Sequence, residues 1–262
     1  MVMPATTLPR LFVGSSNEGK NVAHAVRQQL RDVAEVTLWS DGPFGLGGGT
    51  LESLVAALAD YDFAVLVITA DDLTTSRGKE EPSPRDNVVF EAGLFMGRLG
   101  RSRTFLVYDA NARPKLPSDL AGITIATFRR RSGDQLRGAV GEATDDVRER
   151  ILALGPYLSM TDPRADAKLP LNARAKGLCS SRHSRVSVGV HPIGTKEYWL
   201  RRANVVDGTW TAEITIGTPK TSSGSEYDIA AFLEPNPTVG ANPLAAWPSA
   251  LASSPVIRVR RA

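Results

Sequence analysis

Hydrophobic residues in the first 154 positions follow two periods in turn. The apolar segments Leu11–Val13, Val36–Trp39 and Phe63–Thr69 are short and rich in β-branched or aromatic residues, which favours strands. From Val22 to Val33 and from Leu51 to Leu58, apolar residues recur every three or four positions, which predicts amphipathic helices. The unbroken apolar run that begins at Phe63 indicates a strand covered on both faces.

The same alternation continues to residue 154. A helix is predicted after Arg85, strands over Arg103–Tyr108 and Ile123–Phe128, and a closing helix over Gln135–Leu154. Strands that alternate with helices favour a parallel sheet with helices on both faces. We therefore predict one α/β domain over residues 1–154.

After Gly155-Pro156 the pattern changes. Residues 155–182 contain several prolines and many small or polar residues, and we interpret them as a linker. Segments of period two follow, with the hairpin signal Asp207-Gly208 between two of them: Arg185–Val190, Glu197–Leu200, Thr209–Ile216, Tyr227–Leu233 and Val256–Val259. Residues 183–262 are therefore predicted to form a small all-β, sandwich-like domain. We interpret Trp199, Trp210 and Tyr227 as its core rather than as a ligand cage, because large aromatic residues dominate such cores.

Composition narrows the classes of protein that the chain can represent. A content of 42% hydrophobic and 23% charged residues is ordinary for a globular protein, and the longest apolar run, Phe63–Ile68, is too short to cross a bilayer. The N-terminus lacks the apolar stretch of a secretion signal, so a cytoplasmic location is expected. Cys179 is the single cysteine, and the three histidines are far apart in sequence, so neither a disulfide nor a metal site is predicted.

Charge is distributed unevenly between the two parts. Residues 1–154 contain 18 basic and 20 acidic side chains, whereas residues 155–262 contain 13 and 8. A basic second part suits an anionic ligand without identifying it. The sequence contains no basic patch with interleaved aromatic residues and no zinc-finger spacing, so nucleic acid is not an expected partner.

The carboxyl edge of the predicted sheet is the expected ligand site, since ligands of doubly wound folds bind there. Three loops should meet at that edge: Gly14–Asn17, Ser40–Gly49 and Ala70–Asp86. The first offers hydroxyl and backbone N–H groups at a helix N-terminus, which suits a phosphate or a sugar.

Glu91 lies about one helical turn beyond the third loop, in an apolar neighbourhood where a carboxylate is costly. In the crevice, this carboxylate would hydrogen-bond ribose hydroxyls and stabilise an oxocarbenium-like transition state. Its position in the sequence equally allows a capping role or an ion pair with Arg85 or Arg98.

Three segments, LFVGSSNEG, DFAVLVITADD and RDNVVFEAGLFMGRLGR, together resemble the TIR-like domains of bacterial antiphage effectors from CBASS and Pycsar systems. The resemblance covers roughly the first 130 to 150 residues, on the scale of one compact domain, and its third segment is the most specific. It implies a flavodoxin-like parallel sheet and an NAD+ glycohydrolase activity that cleaves the nicotinamide–ribose bond. No metal or further cofactor is implied, because NAD+ is the substrate.

The resemblance also assigns roles by position. Glu91 takes the catalytic role, and Asp41–Gly49 matches a loop that helps to form an oligomeric, active assembly. Asp71 and Asp72 match an acidic pair that has no defined role. The predicted substrate-binding residues are Phe12, Gly14, Ser15, Ser16, Asp41, Phe44, Asp71, Asp72 and Asn87.

The leading hypothesis is an NAD+-depleting antiphage effector that releases nicotinamide and linear or cyclic ADP-ribose when a signal drives its homo-oligomerisation. The C-terminal domain is interpreted as a sensor or interaction module, with a cyclic nucleotide or another activating ligand as its candidate partner. Two alternatives stay open. One is a nucleoside deoxyribosyltransferase-like N-glycosidase, and the other is a non-catalytic TIR scaffold that binds partners through the Gly-rich loop.

Overall fold

A computed structural model describes residues 8–41, 51–76, 78–117, 120, 124–130, 135–236 and 243–262. The chain divides into two compact units, Met1–Gly155 and Pro156–Ala262, and each has its own hydrophobic core. Within the described ranges, no helix is both long enough and apolar enough to cross a membrane.

The elements of the first unit follow the predicted β-then-α order. They are β1 (Arg10–Ser15), α1 (Lys20–Leu30), β2 (Glu35–Leu38), α2 (Leu51–Ala57), β3 (Phe63–Val67), β4 (Asp72–Ser76), β5 (Lys79–Ser83), α3 (Asp86–Leu99), β6 (Thr104–Asp109), β7 (Thr124–Phe128), α4 (Leu136–Ala139) and α5 (Gly141–Leu154).

Five of these strands form a parallel sheet in the order β2-β1-β3-β6-β7. Counted among themselves the strands run 2-1-3-4-5, which is the flavodoxin-like order, and the predicted fold class of this unit is confirmed. All five residues of the central strand β3 are buried, as expected for a strand covered by helices on both faces.

The helices present apolar stripes to this sheet. On α1 the buried residues Val22, Ala25, Val26 and Leu30 follow the helical period, and they share one core with strand residues such as Leu11. Helix α3 buries a second stripe, Val88, Ala92, Phe95 and Leu99. It ends at Gly100, whose φ of 82° favours glycine and whose N–H donates to the Met96 carbonyl oxygen.

Two predicted segments of this unit differ in the structure. Residues 70–85, expected as a loop, contain the antiparallel hairpin β4–β5. Its strands are largely exposed and rich in charge, so no apolar alternation marks them. The predicted closing helix is divided at Val140 into α4 and α5, where Gly138 and Gly141 flank the break and weaken a continuous helix.

The second unit consists of strands in two sheets. Its elements are β8 (Leu158–Asp162), β9 (Lys168–Leu169), β10 (Asn172–Cys179), β11 (Val186–Pro192), β12 (Trp199–Arg202), β13 (Asn204–Val206), β14 (Thr209–Thr215), β15 (Glu226–Leu233), β16 (Ala252–Ser253) and β17 (Ile257–Arg261). One sheet has the order β13-β14-β10-β8, and the other has the order β12-β11-β15-β17-β9 with β16 beside β15.

The alternating residues of these strands fill a shared core. Trp210, Ala212 and Ile214 of β14 lie in the same buried cluster as Val188 of β11 and Tyr227 of β15. The predicted all-β domain, and the core positions of Trp210 and Tyr227, are therefore confirmed. Trp199 differs, because it is only half-buried.

The interpretation of residues 155–182 as a linker is wrong for most of that segment. It contains β8, β9 and β10, and β10 pairs with both β8 and β14. Pro156 and Pro163 flank β8, and Pro170 precedes β10, so these prolines bound the strands rather than interrupt them.

The turn Asp207-Gly208 joins β13 to β14, as predicted. Both residues have positive φ, 47° and 69°, which is the backbone conformation of a type I′ hairpin turn.

Candidate active site

The carboxyl end of β1 and helix α3 bring Gly14 and Glu91 together. A Cβ atom built on Gly14 would lie 2.8 Å from Glu91 Oε2 and 2.6 Å from Leu66 Cδ1. The carboxylate therefore lies directly against the β1 backbone, at a position that only a residue without a side chain leaves open.

The Glu91 carboxylate has an unusual electrostatic environment. Its Oε2 atom is buried and has no hydrogen-bond partner among the described residues. Burial raises the pKa of the Glu91 carboxyl to about 7. Apolar atoms of the fully buried Leu66 and Phe12 approach the same point as Oε2. Since an unpaired carboxylate in an apolar setting costs stability, a perturbed group of this kind is a candidate for function.

The helical period explains why Glu91 takes this position. Val88 and Ala92 belong to the buried stripe of α3, and Glu91 lies beside both on the helical surface. Asn87 and Phe90 are exposed on the other side, Phe90 by 52%. Glu91 is thus at the border of the buried face, where α3 approaches the end of β1.

A chain of hydrogen bonds joins the first and third loops of the carboxyl edge. Thr69 Oγ1 donates to Asp71 Oδ2 at 2.5 Å and lies 2.9 Å from Ser16 Oγ. Because Thr69 uses its only proton on Asp71, Ser16 donates to Thr69. Ser16 Oγ also accepts from the Gly19 N–H at 3.1 Å. Ser16 and Asp71, both predicted at the site, are therefore brought together, with Thr69 as the link that the sequence analysis missed.

Ser15 and Phe12, two predicted substrate-binding residues, are buried. Ser15 is buried, and its Oγ accepts from Trp39 Nε1 at 2.9 Å. Phe12 is fully buried, with its ring stacked on Phe95 at 4.7 Å and edge-on to Tyr61 at 5.4 Å. Its Cε1 atom also lies beside Gly14 and the Glu91 carboxylate, and the contact of Phe12 with a nucleotide stays a prediction.

Arg85 connects the surrounding loops. Its guanidinium lies 3.0 Å from Glu18 after β1 and 3.8 Å from Asp72 at the start of the hairpin. The alternative in which Arg85 pairs with Glu91 is therefore wrong. Among the described residues, burial is the cause of the raised pKa of the Glu91 carboxyl, and no charge on Arg98 contributes to that shift.

The remaining predicted residues lie away from Glu91 or outside the residues that the structure describes. Asp41 forms an ion pair with Arg27 of α1 at 2.6 Å, which accounts for its side chain at the surface. Asn87 is exposed on the first turn of α3. Phe44, with most of the predicted Gly-rich loop, lies outside the described residues.

Comparison with known proteins shows which family the region of this site is similar to. The family model described as "CAP12/Pycsar effector protein, TIR domain" matches residues 10–130, a range that contains Gly14, Glu91 and all three loops.

Three relatives are similar to part of this chain. CD-NTase-associated protein 12 of Flavobacterium daejeonense is 46% identical over 121 residues, which cover 46% of this chain and 38% of that protein. The Pycsar effector protein BcPycTIR of Burkholderia cepacia is 41% identical over 147 residues, covering 56% and 48%. The Pycsar effector protein PaPycTIR of Pseudomonas aeruginosa is 40% identical over 158 residues, covering 60% and 51%. The chain thus spans about half, or less, of the length of these relatives.

Proposed function

We propose that this chain is an NAD+ glycohydrolase that acts as an antiphage effector. The proposal starts from residues 10–130, which match the TIR domain of the CAP12/Pycsar effector family. The family assignment confirms the resemblance seen in the three sequence segments. The observation that carries the proposed activity is the Glu91 carboxylate, which is buried against the end of β1 with no hydrogen-bond partner for Oε2 in the described part of the chain.

The proposed reaction breaks the bond between the nicotinamide nitrogen and C1′ of the ribose. Nicotinamide leaves as a neutral molecule with the bonding electrons, and positive charge develops on the ribose. The ionised Glu91 carboxylate stabilises that charge, and water then adds to C1′ and releases one proton. Because none of the described residues donates to Glu91 Oε2, the charge of this oxygen is available to the sugar cation.

The apolar surroundings strengthen this interaction. A carboxylate next to buried groups such as Leu66 and Phe12 attracts a cation more strongly than it would in water. The same burial disfavours ionisation in the absence of substrate, which is why the pKa of Glu91 is raised. Arrival of a positively charged group at the site therefore favours the active, ionised form.

Regulation is proposed to involve the second unit. The family includes proteins named Pycsar effectors and CD-NTase-associated proteins, and a cyclic-nucleotide signal is the activator that we propose. Ligand binding at the second unit then drives self-association through the TIR domains, with Asp41–Gly49 as the contacting loop. The excess of basic residues after residue 155 suits an anionic activator.

Nicotinamide release by the purified full chain tests the activity. NAD+ is incubated with the protein and a panel of cyclic nucleotides or a lysate of phage-infected cells, and the products are separated by chromatography. Glu91→Gln should abolish release, whereas Glu149→Gln, which removes an exposed carboxylate from α5, should not change it. Retained release by a folded Glu91→Gln protein would remove Glu91 from the mechanism.

The same assay separates the alternatives. A deoxyribosyltransferase-like enzyme would release bases from deoxynucleosides and leave NAD+ intact. A non-catalytic scaffold would assemble with its activator, as seen by light scattering, without releasing any base.

A further inference from the structure

A cavity of about 380 Å³ opens in the second unit and is lined by residues of both sheets. Strand β12 contributes Trp199 and Arg201, β15 contributes Tyr227, and β14 contributes Thr215. This volume lies within the range of about 300 to 1,000 Å³ that is typical of small-molecule sites. All of these residues belong to the second unit, so the cavity is separate from the Glu91 site.

Strand geometry sends Arg201 into this cavity. Side chains alternate between the two faces of a strand, so Trp199 and Arg201 share one face of β12 while Leu200 and Arg202 share the other. The observed environments agree with this, because Trp199 and Arg201 line the cavity, Leu200 packs with Phe232 in a separate cluster, and Arg202 is exposed.

Arg201 faces the cavity as a cation without a matching carboxylate. It donates one hydrogen bond, to the carbonyl oxygen of Leu200 at 3.2 Å, and no carboxylate of the described residues lies within 4 Å of its guanidinium. Four other arginines of the unit differ in this respect, because they have an acidic partner: Arg174 with Glu213, Arg185 with Glu234, Arg258 with Asp228 and Arg260 with Glu226. An unpaired guanidinium in a cavity is suited to bind an anionic group.

The other walls supply an aromatic face and hydroxyl groups. Trp199 is half-buried, so part of its indole is open to a ligand. At the turn that follows β14, Gly217 has a φ of 82°, and a Cβ built on it would lie 2.5 Å from the Tyr227 hydroxyl and 2.6 Å from Thr221 Oγ1. The glycine thus lets two hydroxyl groups approach the cavity wall. Glu197 is exposed and also lines the cavity, where it can accept hydrogen bonds from ligand hydroxyl or amino groups.

We propose that this cavity binds a small organic anion that carries a planar ring. Arg201 pairs with the anionic group, Trp199 stacks on the ring, and the hydroxyl groups with Glu197 contact the polar substituents of the ligand. Either a phosphate ester or a carboxylate provides this chemistry. A cyclic nucleotide is itself a ring-bearing phosphate ester, so the inference deepens the proposed regulation and rests on it for the activator. It does not depend on the proposed NAD+ activity, because no residue of the first unit takes part in the site.

The test uses the 15N-labelled full chain and the indole N–H resonances of its four tryptophans. Adenosine 5′-monophosphate and indole-3-acetate serve as ring-bearing anions, a phosphate ester and a carboxylate respectively. Adenosine and inorganic phosphate serve as the ring alone and the anion alone. We expect at least one ring-bearing anion to shift the Trp199 resonance with saturation, at a concentration about tenfold or more below that required for adenosine or phosphate. The stronger of the two anions identifies the class of ligand.

Two adjacent arginines provide a matched pair of variants. Arg201→Gln should raise the apparent Kd of the bound anion by about tenfold, whereas Arg202→Gln, which removes the same charge from the opposite face, should leave it unchanged. Arg201→Lys keeps the charge and should lie between wild type and Arg201→Gln. Unshifted resonances of the other tryptophans in the free variants report that the fold is intact.

Trp39 distinguishes this site from the first unit, since its indole donates to Ser15 beside the Glu91 site. A probe that shifts only Trp39 would bind in the first unit, and the proposal would be overturned. Absence of any Trp199 shift at millimolar probe, or equal losses of affinity in Arg201→Gln and Arg202→Gln, would overturn it as well.

Discussion

The Glu91 carboxylate lies against Gly14, at the carboxyl end of β1. A Cβ atom at position 14 would be 2.8 Å from Glu91 Oε2, closer than real Cβ contacts. Helix α3 carries the acid and strand β1 leaves the space for it, so Gly14 and Glu91 form a packed pair. The oxygen is buried without a hydrogen-bond partner in the described part of the chain, so ionisation of Glu91 is unfavourable there. A bound cation would reduce this electrostatic cost.

The first prediction concerns Gly14→Ala. The added methyl group would come within 3.0 Å of Leu66, Glu91 and Phe12 atoms, two of which belong to fully buried side chains. We expect a loss of about 1–3 kcal/mol in the free energy of unfolding from overpacking, and at least about a tenfold loss of nicotinamide release from displacement of the carboxylate, a loss that corresponds to about 1.4 kcal/mol of activation free energy.

Gly97→Ala on α3 is the matched control. A Cβ there meets nothing within 4 Å, and alanine favours a helix over glycine by about 1 kcal/mol. Thermal unfolding should therefore show Gly97→Ala at or above wild type and Gly14→Ala below it. Equal behaviour of the two variants would contradict the close packing at position 14.

The second prediction is the pH dependence of NAD+ cleavage. In the proposed reaction only the ionised form of Glu91 stabilises the sugar cation, and burial raises the pKa of this carboxyl to about 7. The kcat/KM value should therefore rise with pH and reach a plateau above an apparent pKa near that value. Nicotinamide release measured between about pH 5 and 9 checks this, and a rate that is flat or falls over the range would contradict it.

The third prediction is the pH dependence of stability. Between the ordinary carboxyl pKa of 4.5 and the folded value of about 7, the folded state keeps a proton that the unfolded state releases. The free energy of unfolding therefore decreases as pH rises through this window and is level above it. Glu91→Gln lacks this loss, so its advantage in Tm over wild type should be greater at pH 8 than at pH 5.

In the free energy of unfolding, Glu91→Gln should exceed wild type by on the order of 1–3 kcal/mol at the higher pH. Glu149→Gln is the control, because its carboxylate is exposed on α5. A Tm difference between Glu91→Gln and wild type that stays constant with pH would show that the carboxyl is not held in an apolar environment.

The fourth prediction concerns Arg85, which links Glu18 to Asp72. These ion pairs are exposed, so Arg85→Gln should cost less than about 1 kcal/mol of global stability. It should nevertheless release the hairpin β4–β5 from the first loop and increase amide hydrogen exchange over residues 72–83. Arg10→Gln, which breaks an exposed pair with Glu35 at 3.4 Å, should leave exchange in that segment unchanged. Unaltered exchange in both variants would show that Arg85 does not restrain the hairpin.

Much of the fold was predictable because burial leaves a local pattern. The unbroken apolar run of β3 indicated a strand covered on both faces, and Asp207-Gly208 indicated a hairpin through its own backbone preferences. The hairpin β4–β5 has no such pattern, because its strands are largely exposed. It is formed by the antiparallel pairing of the two strands, which the sequence does not reveal. The strands within residues 158–179 were also missed, because the prolines that bound them were interpreted as signs of a linker.

The fold class of each unit and the unusual position of Glu91 were predictable from the sequence, because an acid among the apolar residues of a predicted helix is visible along the chain. Which groups contact that acid became known from the folded structure. In that structure Gly14 lies against the carboxylate, Phe12 stacks on Phe95, and Arg85 forms ion pairs with Glu18 and Asp72. The physical reason is that local periodicity specifies which face of a helix or strand is buried, whereas contacts between distant segments depend on how the whole backbone folds.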